Sequence, residues 1–190
     1  MKMKQTKIYF VRHAEPNQEN HNDRLRELTV KGEEDAKKVT QYLLEQQIDA
    51  VLSSPYRRAV QTVQNYAQTA FFPIVAVDDF RERAVGTEWI EDFDSFCQKQ
   101  WNDFTYKLPG GESLQEVERR VTAGLDSLLE EYAGQNIVVG THGTALAVLL
   151  HHLDPSFGYE QFKEITMPWI ICLTFEGRTL KNPGLSGTGF

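Results

Sequence analysis

Residues 8–15 read IYFVRHAE, in which four apolar residues are followed directly by Arg12 and His13. Short apolar runs that are rich in β-branched and aromatic residues are typical of buried strands. Open α/β sheets bind their ligands at the carboxyl ends of their strands. The sequence therefore predicts a buried first strand that places Arg12 and His13 at a ligand-binding edge.

Further strand patterns alternate with helical patterns along the chain. The predicted strands cover residues 8–11, 50–54, 74–77, 136–141 and 169–175. Strands separated by helices are typical of an α/β domain with a mainly parallel sheet. We therefore expect a three-layer sandwich, in which a mainly parallel central sheet is flanked by helices, and a single domain over residues 1–180.

Four helices are expected between these strands. Thr29 is a candidate N-cap for the first helix, and Ser54, followed by a proline, for the second. Ser113 and Glu116 form a capping box at the start of the third helix. The fourth pattern, residues 144–152, is apolar nearly all round, so this helix is expected to be buried.

Two segments, residues 81–109 and 181–190, have no clear period. A long unpatterned insertion in a compact domain is usually functional, so we interpret 81–109 as a lid-like insertion over the substrate. Its aromatic residues could line this lid, although a small hydrophobic cluster would explain them equally well. They are Trp89, Phe93, Phe96 and Trp101. The tail 181–190 is rich in glycine and serine, which predicts a poorly ordered, flexible segment.

Composition and charge argue against several functional classes. The 190 residues carry a net charge of -7 with a pI near 5.3, whereas nucleic acids and anionic membranes require a clustered positive face. The two cysteines have no CxxC spacing, which argues against a disulfide framework or a zinc ribbon. The apolar run behind the basic N-terminus is too short for a signal peptide, and residues 145–150 are too few to span a bilayer. We therefore expect a cytoplasmic protein.

Two further motifs follow predicted strands. SSPYRRAVQT, residues 53–62, brings two arginines to the first turn of a helix, where free N–H groups and the helix dipole favour phosphate. GTHG, residues 140–143, places His142 at the same edge of the sheet. Histidines and arginines without a cysteine or carboxylate cluster make a poor metal site and a good phosphate site. Taken alone, each motif is also compatible with solvated arginines or a structural histidine.

Five motifs in this order resemble those of the histidine phosphatase superfamily, which is also called phosphoglycerate mutase-like. The matching strings are RHAE at 12–15, LTVKGEEDA at 28–36, SSPYRRAVQT at 53–62, PGGESLQE at 109–116 and THG at 141–143. Any one of these strings is weak evidence, whereas five in the family's order are strong evidence. The resemblance implies a phosphoglycerate mutase-like fold and a phosphoryl-transfer activity.

The resemblance also implies a role for each matched residue. His13 would be the nucleophile, and the phosphoryl oxygens would be bound by Arg12, Arg58 and His142. Arg58 rather than Arg57 corresponds to the family arginine, because it directly precedes the alanine of the motif. In this scheme the neutral imidazole attacks phosphorus, and neither a metal nor a cofactor takes part.

The string FRERAVG, residues 80–86, resembles the pattern that contains the family's proton donor. Glu82 occupies the position of that acid, although Phe80 replaces the usual aliphatic residue. Glu88 and Glu91 are the next candidates for the acid. Ala14 and the residues after Glu15 depart from the commoner family pattern. Three other histidines match no motif and are interpreted as surface or helix-end residues: His21, His151 and His152.

The expected function is metal-independent hydrolysis of a small phosphorylated metabolite by a histidine acid-type phosphatase. One alternative is a cofactor-dependent phosphoglycerate mutase, although such mutases carry longer insertions between the arginine motif and PGGES. A second is a protein phosphohistidine phosphatase, although those members are more compact and lack a developed lid. A third is a non-catalytic phosphate-binding module, against which the intact set of motif residues argues. The oligomeric state is left open.

Overall fold

The computed structural model describes residues 5–182 and 184–190, so the basic residues 1–4 and Pro183 of the tail lie outside the described residues. The strands are β1 (Gln5–Arg12), β2 (Ala50–Ser53), β3 (Ile74–Ala76), β4 (Asn136–Thr141), β5 (Trp169–Glu176), β6 (Thr179–Leu180) and β7 (Thr188–Gly189). They form one sheet in the order β3-β2-β4-β1-β5-β6, and β7 pairs with β5. The first four strands of this order run parallel, whereas β5 is antiparallel to β1. The sheet is therefore mainly parallel, as the sequence predicts.

Helices cover both faces of this sheet. They are α1 (Val30–Leu44), α2 (Arg57–Thr69), α3 (Phe93–Asn102), α4 (Leu114–Glu131), α5 (Gly143–Leu153) and α6 (Tyr159–Glu164). Thr29 accepts a hydrogen bond from the Gly32 N–H at 3.0 Å, and Ser113 and Glu116 form a reciprocal capping box. These two predicted helix starts are confirmed. Each helix in the described part of the chain is too short or not apolar enough to cross a membrane.

The alternation of side chains along β1 shows how the layers are built. Ile8 and Phe10 point into a core shared with α4 and α5, whereas Tyr9 and Val11 point into a core shared with α1 and α2. Each of these four side chains is at most 5% exposed. A strand that is apolar on both faces belongs in the middle layer of a sandwich. The structure therefore confirms the predicted three-layer architecture.

The start of α2 differs from the prediction. Tyr56 is the N-cap and Arg57 the first helical residue, so Ser54 lies two residues before the cap. The Ser54 hydroxyl instead accepts the Tyr56 N–H at 3.2 Å and contacts His142 at 2.7 Å. The Ser-Pro pattern predicted the wrong helix start, because the Ser54 hydroxyl contacts His142 and does not cap α2.

The lid-like insertion contains a helix that the sequence pattern did not reveal. Asp92 caps α3 by accepting the Ser95 N–H at 3.1 Å. The buried face of this helix includes Gln100, which is 0% exposed and donates to the carbonyls of Tyr106 and Glu112. A polar residue on the inner face interrupts the apolar period, which is why periodicity alone failed here.

The C-terminal tail contacts the sheet. Thr188 and Gly189 pair with β5, and the Phe190 ring lies 6.1 Å from that of Tyr42. The prediction of a poorly ordered tail did not anticipate these contacts. The glycine and serine content of the tail does not indicate strand pairing. The terminal Phe190 provides apolar surface that can be buried against Tyr42.

Candidate active site

Three parallel strands end at one edge of the sheet and carry the motif residues there. Arg12 is in register with Thr141, and the His13 N–H donates to the Thr141 carbonyl at 3.0 Å. On the other side of β4, the Ser54 N–H donates to the Gly140 carbonyl at 2.8 Å. The ends of β1, β2 and β4 are therefore held together directly by backbone hydrogen bonds. This pairing brings the RHAE, SSP and THG motifs to one place.

His13 is held with a defined ring orientation. His13 is only 5% exposed, and its Nδ1 lies 2.7 Å from the Ala14 carbonyl oxygen. Because a carbonyl only accepts, Nδ1 carries the proton and Nε2 has the free lone pair. Nε2 accepts a hydrogen bond from Arg58 Nε at 3.2 Å. Burial, followed by the charges of Arg58 and Arg12, lowers the pKa of His13 well below its usual value, so the ring is neutral.

Arg58 is the buried arginine of the SSPYRR motif. It is 3% exposed, and besides His13 it contacts Asp23, whose carboxylate oxygen lies 3.0 Å from Nη2. The Asp23 carbonyl accepts a further hydrogen bond from Nη1. Arg57 points elsewhere, with an exposed side chain 3.9 Å from Glu27. The structure thus brings Arg58, and not Arg57, against the histidine.

His142 lies beside His13, with ring centroids 5.2 Å apart. Its Nε2 is 2.7 Å from Ser54 Oγ, which already accepts the Tyr56 N–H. Since the Ser54 hydroxyl has no other acceptor among the described residues, it donates to Nε2, which leaves the His142 proton on Nδ1. Among the described residues this Nδ1 has no hydrogen-bond partner. Burial and the charge of Arg58 lower the His142 pKa well below its usual value, so this ring is a neutral donor.

Arg12 packs across the start of α5. A Cβ at position 143 would lie 2.9 Å from the Arg12 guanidinium carbon, so a larger residue there would displace this guanidinium. Nη1 donates to the carbonyls of Ile165 and Thr166, whereas Nε has no partner among residues 5–182 and 184–190. Burial lowers the Arg12 pKa, and the nearby charge of Glu82 partly opposes this effect.

Glu82 sits at the N-terminus of α5. Its carboxylate accepts the N–H groups of Thr144 and Ala145, each at 3.2 Å, and that of Arg83 at 2.8 Å. The free N–H groups of a helix start stabilise such a carboxylate. Since α5 follows His142 directly, Glu82 is brought to the same edge as the two histidines. Glu88 and Glu91 are exposed.

The backbone around Glu82 is held by an ion pair that sequence reasoning missed. Arg120 of α4 and Glu112 of the PGGES motif form two parallel hydrogen bonds, at 2.9 and 3.0 Å. Arg120 Nη1 also donates to the carbonyls of Asp79 and Arg81, at 2.7 and 2.9 Å, and Glu112 accepts the Ala84 N–H at 3.0 Å. The pair of Arg120 and Glu112 thus holds the backbone in place on both sides of Glu82. Glu112 stands inside a recognised motif, whereas nothing in the sequence singles out Arg120.

The three histidines outside the motifs make other contacts. His21 stacks on Trp89 with ring centroids 4.2 Å apart, His151 bonds the Phe157 carbonyl at 2.8 Å, and His152 pairs with Glu118. Within the described residues, no group of three or more His, Cys, Asp or Glu side chains comes together as a metal site would require. The site is built from histidines, arginines and a helix N-terminus.

The family model of the histidine phosphatase superfamily, branch 1, matches residues 8–176. The chain belongs to the histidine phosphatase superfamily. The match covers all five motifs and, apart from the first three residues of β1, every strand from β1 to β5. It confirms the resemblance found in the sequence.

Two curated relatives of this histidine phosphatase are a phosphatase and a mutase by name. It is 28% identical over 127 residues to the uncharacterized phosphatase PhoE of Bacillus subtilis, covering 67% of this chain and 64% of that protein. It is 30% identical over 156 residues to the probable phosphoglycerate mutase GpmB of Escherichia coli, covering 75% and 72%. The structure of Bacillus stearothermophilus YhfR superposes with a TM-score of 0.77 at 20% identity, over 94% of this chain and 95% of that one. The fold is therefore phosphoglycerate mutase-like.

Proposed function

We propose that this histidine phosphatase is a metal-independent phosphomonoesterase that works through a phosphohistidine at His13. The observation that carries the proposal is the hydrogen bond between His13 Nδ1 and the Ala14 carbonyl, which determines the tautomer of His13. Because the Ala14 carbonyl holds the proton on Nδ1, the Nε2 lone pair faces the guanidinium of Arg58. A nucleophile that is neutral, oriented and surrounded by cationic donors suits attack on an anionic phosphoryl group.

In the first step, His13 Nε2 attacks phosphorus while the ester oxygen leaves on the opposite side. The new bond is P–N, and the broken bond is P–O. Arg58 Nε now occupies the lone pair of Nε2, so this donor must turn to a phosphoryl oxygen as attack begins. Arg12 Nε and His142 Nδ1 are further donors without partners among the described residues, which suits them to the other phosphoryl oxygens. Glu82 begins this step protonated and gives its proton to the leaving oxygen, and it regains a proton from water in the second step.

In the second step, water hydrolyses the phosphohistidine. The Glu82 carboxylate takes a proton from water as its oxygen attacks phosphorus, and the P–N bond breaks. Free phosphate leaves, and His13 returns to its neutral form. The location of Glu82 at the start of α5, next to His142, supports both roles because one group then serves leaving oxygen and water alike.

The space beside Arg12 suits a small leaving group. A pocket of about 360 Å³ lies between α3 and α6, and its lining residues are Arg12, Phe93, Asp94, Cys97, Tyr159, Phe162 and Lys163. This volume is at the lower end of that of small-molecule sites. Phe93, one of the aromatic residues expected to line the lid, lines this pocket. The others lie elsewhere: Phe96 and Trp101 pack internally, and Trp89 stacks on His21.

A panel of phosphate monoesters, assayed with and without EDTA, tests this proposal. We expect inorganic phosphate to be released from alkyl, sugar and nitrophenyl phosphates, with rates unchanged after EDTA treatment. Orthovanadate should inhibit by occupying the phosphoryl site. Activity that disappears with EDTA and returns with a divalent cation would contradict metal independence.

The name of GpmB makes the mutase a second candidate, and the same preparation tests it with 3-phosphoglycerate. A hydrolase releases phosphate from this substrate at least as fast as it isomerises it. Isomerisation that exceeds phosphate release, and that needs a phosphorylated primer, would instead identify a cofactor-dependent mutase.

A further inference from the structure

Residues 17–27 form a loop over the start of α2, which we call loop 17–27. Its two ends are joined because the Asn17 N–H donates to the Glu27 carbonyl at 2.8 Å. The Glu27 carboxylate accepts from the side-chain amides of Asn17 and Asn20, each at 2.8 Å. The Arg24 carbonyl in turn accepts the Arg57 N–H of α2 at 3.0 Å. The loop is therefore a built structure with a defined place beside the phosphoryl site.

One carboxylate oxygen of this loop lies between two arginines. Asp23 Oδ1 is 3.0 Å from Arg58 Nη2 and 3.7 Å from Arg26 Nη1. The Arg58 and Arg26 side chains are only 3% and 12% exposed, whereas the Asp23 side chain is 45% exposed. Two largely buried guanidinium groups repel each other unless an anion lies between them. The Asp23 oxygen supplies that anion.

Arg26 is held in place independently of Asp23. Its Nε donates to the Asn20 carbonyl at 2.7 Å, which fixes the guanidinium against the loop. The charges of Arg58, Arg12 and Arg26 all contribute to lowering the His13 pKa, after the larger effect of burial. Arg26 thus shares the Asp23 oxygen with Arg58, which contacts the nucleophile, although Arg26 belongs to none of the quoted motifs.

We propose that Arg26 is an additional phosphate-binding residue and that the Asp23 carboxylate occupies the position of one phosphoryl oxygen. This inference rests on the proposed function, since both concern the same site. The half-exposed Asp23 side chain can turn outward, whereas the two arginines are enclosed. A phosphoryl dianion carries more charge than a carboxylate and offers an oxygen to each guanidinium. Asp23 is therefore an internal competitor that lowers the affinity of the site for phosphate.

A second interpretation gives Asp23 a purely structural role, in which it orients Arg58 and stays in place when substrate binds. The two interpretations predict opposite effects of one substitution. If Asp23 competes with phosphate, Asp23→Asn tightens phosphate binding, because the competing charge is removed and the side-chain volume is kept. If Asp23 orients Arg58, the same substitution weakens binding.

Calorimetric titration of the purified variants with inorganic phosphate and with orthovanadate decides between them without any turnover. We expect the Kd to fall by about three- to tenfold in Asp23→Asn and to rise by about tenfold or more in Arg26→Gln, as for the gain or loss of one charged contact. Glu19→Gln and Arg24→Gln are matched controls, because they remove one charge each from exposed positions of the same loop. Neither control should change the Kd by more than about twofold.

An unchanged or higher Kd in Asp23→Asn overturns the proposal. Because Asp23 is half-exposed, this variant should fold even if Arg26→Gln does not, so the result is decisive in either case. Arg58→Gln separates this proposal from the proposed function. Loss of phosphate binding in Arg58→Gln, with no gain in Asp23→Asn, would contradict only the role of the loop. Wild-type binding in Arg58→Gln would mean that the phosphoryl site itself is elsewhere.

Discussion

At the scale of single residues, the chemistry depends on which nitrogen of each histidine carries the proton. The Ala14 carbonyl places the His13 proton on Nδ1, and the Ser54 hydroxyl places that of His142 on Nδ1 as well. One ring thereby becomes a nucleophile through Nε2, and the other becomes a donor through Nδ1. The residues at these positions were predicted from the motifs, but the difference between the two rings comes from neighbours that only the fold brings together.

Burial of the two neutral histidines predicts a loss of stability in mild acid. Both pKa values are lowered in the folded state, so below about pH 6.5 the unfolded chain binds more protons than the folded one. The free energy of unfolding should therefore fall as pH decreases, with a slope that approaches about 1.4 kcal/mol per pH unit for each histidine.

Urea unfolding of the wild type and of His142→Gln between pH 7 and pH 5.5 measures this effect. In His142→Gln the free energy of unfolding should change less steeply with pH, by about 1.4 kcal/mol per pH unit, which corresponds to one proton. His13→Gln should behave in the same way. Slopes that are identical in all three proteins would show that these histidines are not buried in their neutral form.

Glu82→Gln tests the proton donor by changing the leaving group. General acid catalysis contributes roughly a hundred- to ten-thousand-fold, so the rate of phosphoryl transfer from an alkyl phosphate should fall by about that factor. A nitrophenyl phosphate expels a stable phenolate and needs little protonation, so its phosphorylation rate should change far less. Single-turnover kinetics separates this step from the later hydrolysis, in which Glu82 acts as the base.

The exposed Glu88, changed to Gln, is the matched control for this experiment. Its variant should keep wild-type rates with both substrates. An equal loss with both substrates in Glu82→Gln would indicate that Glu82 orients the site and does not donate a proton. No loss with either would move the search to Glu88 and Glu91.

At the scale of elements, strand ends and helix starts position the site. The strands could be predicted from apolar runs, and the α1 and α4 starts from caps, because both signals are local. The start of α2 was misplaced because Ser54 uses its hydroxyl for His142, and α3 was missed because Gln100 lies on its buried face. Arg120 could not be predicted, because its contacts join α4 to a segment about 40 residues away in the chain.

The ion pair of Arg120 and Glu112, which we call the clamp, predicts a measurable effect on the position of Glu82. Arg120→Lys keeps the positive charge but cannot form two bonds to Glu112 while also reaching the carbonyls of Asp79 and Arg81. We expect the free energy of unfolding to fall by about 1–3 kcal/mol, as for lost hydrogen bonds to charged groups. In single-turnover kinetics, the rate of phosphoryl transfer from alkyl phosphates should fall more than that from nitrophenyl phosphate, because Glu82 is less well placed as the proton donor.

Arg119→Lys is the control for this prediction, since the Arg119 side chain is exposed and, among the described residues, forms a hydrogen bond only with Gln115. This variant should change neither the free energy of unfolding nor the ratio of the phosphoryl-transfer rates for the two substrates. A loss in Arg120→Lys that is equal for both substrates would show that the clamp supports the fold and has no specific effect on Glu82.

At the scale of the whole molecule, the protein is acidic, but it places several arginines at the edge of the sheet that carries His13. The net charge is -7, yet the charges of Arg58, Arg12 and Arg26 add to the effect of burial in lowering the pKa of His13. The total charge argued against a nucleic-acid or membrane surface, but it could not reveal the loop contacts of Asp23 and Arg26. Loop 17–27 departs from the commoner motif pattern, so only its folded position indicated a role.

Trapping of the phosphoenzyme is the most direct test of the central claim that His13 carries the phosphoryl group. The protein is mixed for milliseconds with a radiolabelled phosphate ester and quenched in alkali, and the labelled peptide is then identified by mass spectrometry. The account predicts one labelled residue, His13, with a phosphoryl group that is stable in alkali, lost in acid and absent from His13→Ala. A label on any other residue, or wild-type turnover by His13→Ala, would contradict it.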